Sequence, residues 1–278
     1  MRQRAISAVV LAVVVVVAYL VGNPWLTIGL AALAILAGSE AAALIRRAGL
    51  PADPGIVVLL PALFVLLVIP QQTRPLVFGY AAISLGVSAV AAFRKRDLSA
   101  AFLTWVGGAF GALWVGGLIF AALILTTPDD LLLKPSGLPV GGGRSWIVIL
   151  VLTVWACDTF AYLVGRAFPR GRMLPHLSPN KTWSGGIAGA VAGTVACAVL
   201  ASRLTGWDLI GGAVIGLLIA IAAQAGDAAE SLLKRGAGVK DSGTLIPGHG
   251  GVLDRIDSFL FAAPVLFLVL LFLPGPRT

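Results

Sequence analysis

Charge is scarce in this chain. Only 12% of its 278 residues are Asp, Glu, Lys or Arg, against roughly 25% in soluble domains. Hydrophobic residues make up 59%, and the mean hydropathy is +0.99. A water-soluble fold of this length cannot hide so much apolar side chain, so the solvent for most of the chain is lipid. Cysteine is nearly absent: Cys157 and Cys197 are the only two, and both lie in apolar runs. That excludes a disulfide framework and leaves them as small packing residues. The G-x-x-x-x-G-K-[ST] spacing of a P-loop is missing. No Ser-His-Asp or Cys-His arrangement stands out either.

Long apolar runs are what the sequence has in excess. A helical span needs about 20 apolar residues, and nine candidates occur: 5–22, 26–45, 55–70, 75–93, 100–126, 145–166, 184–203, 207–234 and 254–273. The third is short, and the fifth is long enough to be two tightly turned pieces. The run after Arg2 and Arg4 is not followed by an A-x-A cleavage site, so it is expected to be an uncleaved first helix. The expectation is an all-α polytopic integral membrane protein of about nine transmembrane helices with a cytoplasmic N-terminus. With that topology, 15 of the 20 basic residues fall on the inner side, Arg46, Arg47 and Arg94 to Arg96 among them. The net charge of +8 is then read as contact with anionic headgroups and not with nucleic acid. Residues 1–126 are expected to form an N-terminal bundle, 127–144 an extracytoplasmic loop, and 145–278 a catalytic region with cytoplasmic loops 167–184 and 235–253. Gly185, Gly189 and Gly193, with Gly107 and Gly111, repeat every four residues and predict close helix contacts.

The few acids are placed where they are costly. Glu40, Asp158, Asp227 and Glu230 fall within spans, and Asp254 and Asp257 open the last one. Each ionised acid at a helix centre costs roughly 2.5–3.5 kcal/mol on insertion scales. The topology brings all six to the cytoplasmic level. Asp227, Glu230, Ser231 and Lys234 share one helical face, and Asp254 and Asp257 are again three apart. Oxygen ligands from two helices suit Mg²⁺, with substrate phosphate completing the shell. The alternative is a set of intramembrane acid–base pairs that stabilise the bundle.

Between the last two spans runs Ser231-Leu-Leu-Lys234-Arg235, then Lys240-Asp241, His249-Gly250-Gly251 and Asp254-Arg255-Ile-Asp257. Lys234, Arg235, Lys240 and Arg255 supply cationic donors. Six glycines free the backbone to wrap oxygens, so the stretch reads as an anion trap. The 27 residues from Ser231 to Asp257, preceded by Gly226-Asp227 and Glu230, closely resemble the signature of the phosphatidate cytidylyltransferases (CDP-diacylglycerol synthases): S-x-x-K-R, K-D, H-G-G and D-R-x-D in order. Asp158 and Ser178-Pro-Asn-Lys181-Thr-Trp183 resemble a second family element. Two positions depart from the pattern: Ser184 stands where the family often has an acid, and Ala228 where it often has a larger apolar residue.

The resemblance implies transfer of cytidylate from CTP to phosphatidate at the cytoplasmic face of a bacterial-type inner membrane. It implies Mg²⁺, with room for a second cation, on Asp227, Asp254 and Glu230. Asp227, Asp254, Lys240, His249 and Asp257 are then the catalytic group. Lys234, Arg235, Arg255, Lys181, Ser231, Asp241 and Asp158 are then the substrate-binding group. A structural pair of Glu40 with Arg46 or Arg47 is an equal alternative to a place in the site. CTP, phosphatidate and membrane lipid are the expected partners, and the glycine faces are compatible with a homodimer. The rivals are a CTP-dependent polyprenol or phytol kinase, and a cation transporter. The complete D-R-x-D element disfavours the first, and the absence of acids from the outer halves of the spans disfavours the second.

Overall fold

The computed structural model describes residues 24–68, 73–127, 142–246, 248 and 250–272. Among them seven helices are long and apolar enough to cross a membrane: Trp25–Arg47, Leu76–Phe93, Leu98–Thr126, Gly142–Ala167, Trp183–Thr205, Leu209–Gly236 and Leu253–Phe272. The fold is an all-α polytopic membrane protein. The predicted span 5–22 lies outside the described residues. The predicted span 55–70 is a correction. It holds a π-helical stretch, Gly55–Leu59, and a seven-residue helix, together covering about 18 Å at 1.5 Å per residue, short of the roughly 30 Å hydrocarbon core.

The elements are α1 (Trp25–Arg47), the π-helical stretch, α2 (Leu60–Leu66), α3 (Thr73–Phe93), α4 (Leu98–Val115), α5 (Gly117–Thr126), α6 (Gly142–Ala167), β1 (Arg172–Leu174), β2 (Ser178–Thr182), α7 (Trp183–Thr205), α8 (Leu209–Gly236) and α9 (Leu253–Phe272). The fifth predicted span is thus one apolar helical stretch interrupted at Gly116. At the interruption the Tyr80 hydroxyl donates to the Ala112 carbonyl. The Tyr80 ring occupies the space that a Cβ on Gly116 would take. A side chain inserted beside a glycine is a recognised cause of helix breaks.

The chain divides into two compact units, Met1–Ala122 with Leu232–Ile256, and Leu123–Ser231 with Asp257–Thr278. In the first, α3 runs antiparallel to α4, with Tyr80 beside Gly116 and Ser88 beside Gly108. The end of α1 also runs against α4, with Ile45 at Gly111 and Pro51 at Gly107. A Cβ on Gly107 would lie 2.6 Å from the Pro51 carbonyl oxygen. Arg46, Arg47 and residues 94–96 are exposed. The end of α8 lies beside the end of α1, with Gly236 against Ala48.

In the second unit α6 and α7 pack antiparallel along the predicted glycine stripe. A Cβ on Gly185 would lie 2.6 Å from the Ala161 carbonyl oxygen, and one on Gly189 would lie 2.7 Å from that of Cys157. Ile187, Val191, Val195 and Val199, offset by two residues, are exposed. One face of α7 is bare backbone for its neighbour, and the other is β-branched surface for lipid. Gly216 meets Thr194 and Cys197, and Gly226 meets Asp257 and Ser258, so α8 packs closely on α7 and on α9.

One feature was not expected from the sequence. Within the predicted loop 167–184, β1 and β2 form an antiparallel hairpin with Arg172 opposite Thr182. Thr182 then caps α7, its hydroxyl accepting from the Gly185 amide at 3.1 Å. Free amides at a helix start need such a partner.

Candidate functional site

The signature loop between α8 and α9 belongs to the first unit and is folded around two carboxylates. Asp254, in the first turn of α9, takes Lys234 Nζ on Oδ1 at 2.6 Å. Its Oδ2 accepts the Ser242 amide at 2.9 Å and the Gly251 amide at 2.8 Å. The Ser242 hydroxyl lies 2.9 Å from the same oxygen. The Asp254 side chain is only 6% exposed, and both of its oxygens accept hydrogen bonds.

Glu40, in α1, is the second carboxylate. Its Oε1 accepts the Val252 amide at 3.0 Å. Its Oε2 accepts the Leu253 amide and the Ser242 hydroxyl, each at 2.8 Å. Glu40 therefore pairs with the loop and not with Arg46 or Arg47. Gly250, at φ +81°, lets the backbone turn onto Asp254, where a Cβ would overlap the carboxylate. Ile246 donates to the Gly250 carbonyl at 2.9 Å, tying the chain on either side of the H-G-G element. His249 itself lies outside the described residues. Lys240, Asp241 and Arg255 are exposed. Arg235 is exposed too, with Nη1 3.3 Å from the Val239 carbonyl oxygen. The loop thus presents cations outward over a framework of buried acceptors.

The second unit holds the other predicted residues. Lys181, at the end of β2, reaches Asp227 Oδ2 on α8 at 2.7 Å, with side-chain exposures of 26% and 38%. Glu230, one turn further along α8, is fully buried, as is Asp257 nearly so, where Gly226 abuts α9. Ser231 is half-buried and Asp158, on α6, is exposed. Ser184, at the position where the resembled family often has an acid, donates to the Phe168 carbonyl at 2.5 Å and lies 3.1 Å from the Thr182 hydroxyl. It ties the hairpin to α7.

Among the described residues, no three His, Cys, Asp or Glu side chains are grouped closely enough to hold a metal ion. Two acids are instead paired one by one, Asp227 with Lys181 and Asp254 with Lys234. The two environments differ in what they allow a cation. Asp254 would have to give up Lys234. Asp227 is partly exposed, with its ion pair to Lys181 on a single oxygen, and Mg²⁺ needs only one or two carboxylates beside substrate phosphates. Of the two carboxylates, Asp227 is the more exposed.

A polytopic helical membrane protein with a carboxylate-pinned basic loop is the class that fold and site define. The chain belongs to the cytidylyltransferase family, whose model matches residues 2–273. It is 49% identical over 129 residues to the phosphatidate cytidylyltransferase of Brucella abortus, covering 45% of this chain and 47% of that one. It is 44% identical over 146 residues to the phosphatidate cytidylyltransferase of Synechocystis, covering 50% and 47%. To the Mycobacterium bovis protein of the same name it is 38% identical over 137 residues, covering 48% and 43%. In each case the match spans about half the length of the relative.

Proposed function

We propose that this chain is a nucleotidyltransferase that joins CTP to phosphatidate, giving CDP-diacylglycerol and diphosphate at the cytoplasmic face of a bacterial-type plasma membrane. The observation that carries the reading is the pinned loop: Lys240 and Arg255 stand exposed beside a backbone fixed by Asp254 and Glu40, and Arg235 is exposed at the end of α8. Such a preorganised set of cations is what two anionic substrates need. Relatives bearing the name of this activity support it.

A phosphatidate phosphate oxygen attacks the α-phosphorus of CTP, and the bond from that phosphorus to the bridging oxygen of the β-phosphate breaks. The attacking oxygen is already ionised, so no general base is required. The barrier is the approach of one anion to another, and fixed cations lower it by neutralising charge and holding the groups in line. Lys240, Arg235 and Arg255 hold phosphate oxygens, with His249 as a further donor. Lys234 holds Asp254, and Asp254 holds the loop. When bound, Mg²⁺ supplies charge neutralisation and orientation of the triphosphate. Asp227 would be its first ligand, with Glu230 one turn away on the same helix.

The test is purified protein in lipid nanodiscs with Mg²⁺, phosphatidate and CTP carrying label in the nucleotide or in the γ-phosphate. Nucleotide label in the lipid together with released diphosphate is the expected result. Entry of the γ-phosphate alone would establish the lipid kinase instead. No CTP turnover would overturn both.

A further inference from the structure

Glu40 lies 202 residues before Ser242, in a helix that carries no part of the family signature. Yet both of its oxygens are spent on the signature loop. Leu253 opens α9, so its amide and that of Val252 are among the donors that a helix leaves without an internal partner. Glu40 accepts both, and a carboxylate is the acceptor that a helix N-terminus favours most. The loop fits around it too tightly for side chains: a Cβ on Gly243 would lie 2.6 Å from Oε1, and one on Gly251 would overlap Oε2.

Proton accounting extends the contact. Ser242 Oγ stands 2.8 Å from Glu40 Oε2 and 2.9 Å from Asp254 Oδ2, and a hydroxyl has one proton. Asp254 Oδ2 already accepts two amides, those of Ser242 and Gly251. The hydroxyl proton therefore belongs to Glu40, and the serine oxygen in turn faces the Asp254 amide at 3.3 Å. Glu40, Ser242, Asp254 and Lys234 form one connected brace. Lys240 sits two residues before its serine, and Arg255 directly follows its aspartate.

We infer that Glu40 is a positioning residue for nucleotide binding: it never touches substrate but fixes the loop on which Lys240 and Arg255 stand. This rests on the cytidylyl-transfer reading above. Glutamine cannot replace it, because an amide has one accepting oxygen and its NH₂ group would face either the Val252 N–H or the Leu253 N–H.

The experiment compares full-length wild type, Glu40→Gln and Ser242→Ala in nanodiscs by amide hydrogen exchange and by CTP kinetics. In Glu40→Gln, exchange over residues 242–253 should quicken about tenfold or more, as loss of a charge-assisted hydrogen bond implies. Exchange over residues 80–112 should stay unchanged. KM for CTP should rise about tenfold, with kcat within about threefold. Ser242→Ala should move both readouts the same way by less, and it carries the test if the Gln variant fails to fold. Unchanged loop exchange, or faster exchange with an unchanged KM, overturns the inference. If exchange responds as expected but wild type turns over no CTP, the brace stands and the cytidylyl-transfer reading falls.

Discussion

Two aspartates of the same signature sit in opposite chemical situations. Asp254 is nearly buried, with Lys234 on one oxygen and two amides on the other. Asp227 is partly exposed and, among the described residues, ion-paired with Lys181. A buried carboxylate that accepts from three donors holds structure, because removing it leaves several donors unsatisfied at once. A carboxylate with one solvent-screened partner exchanges that partner readily. The difference separates an anchor from an open ligand where a motif alone assigns both the same role.

The largest expected effect breaks the comparison on its open side. Asp227→Asn should lower cytidylyl transfer on the order of 1000-fold, leaving membrane insertion and thermal stability as in wild type. Near-normal turnover at saturating Mg²⁺ and CTP would refute the ligand role. Asp254→Asn should differ in kind: it leaves the Lys234 ammonium, 13% exposed, without its carboxylate, and should cost about 3 kcal/mol of stability. A melting curve that matches wild type would contradict the anchor role. Lys240→Ala should raise the apparent KM for CTP or phosphatidate about tenfold with kcat kept. An affinity unchanged for both substrates would remove it from the phosphate set. Ser184→Ala is the smallest change: loss of the hydroxyl's bond to the Phe168 carbonyl should cost about 1 kcal/mol. Turnover of that variant should stay within about twofold of wild type; a larger loss would give Ser184 a chemical role.

The spans were legible because lipid demands long apolar runs, and the glycine stripe of α7 because backbones that touch leave no room for a Cβ. The break at Gly116 was not, since it depends on Tyr80 from another helix. Nor was the hairpin after α6: strands of three and five residues that include Pro179 leave no alternating pattern to read. In the site, the loop's cations and acids were visible as residue types, but their pairing was not. The acids of α8 and α9 were expected to gather round a cation. The structure gives Asp227 to a lysine of the hairpin and Asp254 to one on α8. Glu40 was ambiguous for the same reason, because its partners lie more than 200 residues away. Sequence spacing reports neighbours along one helix; it carries no record of a carboxylate aimed at a distant loop.

Amide exchange over residues 242–253 in Asp227→Asn protein tests the division of labour most directly. The brace of Glu40, Ser242, Asp254 and Lys234 is untouched in that variant, so the loop should keep its wild-type protection. A loop that loses protection in Asp227→Asn would make Asp227 one more anchor and contradict the account.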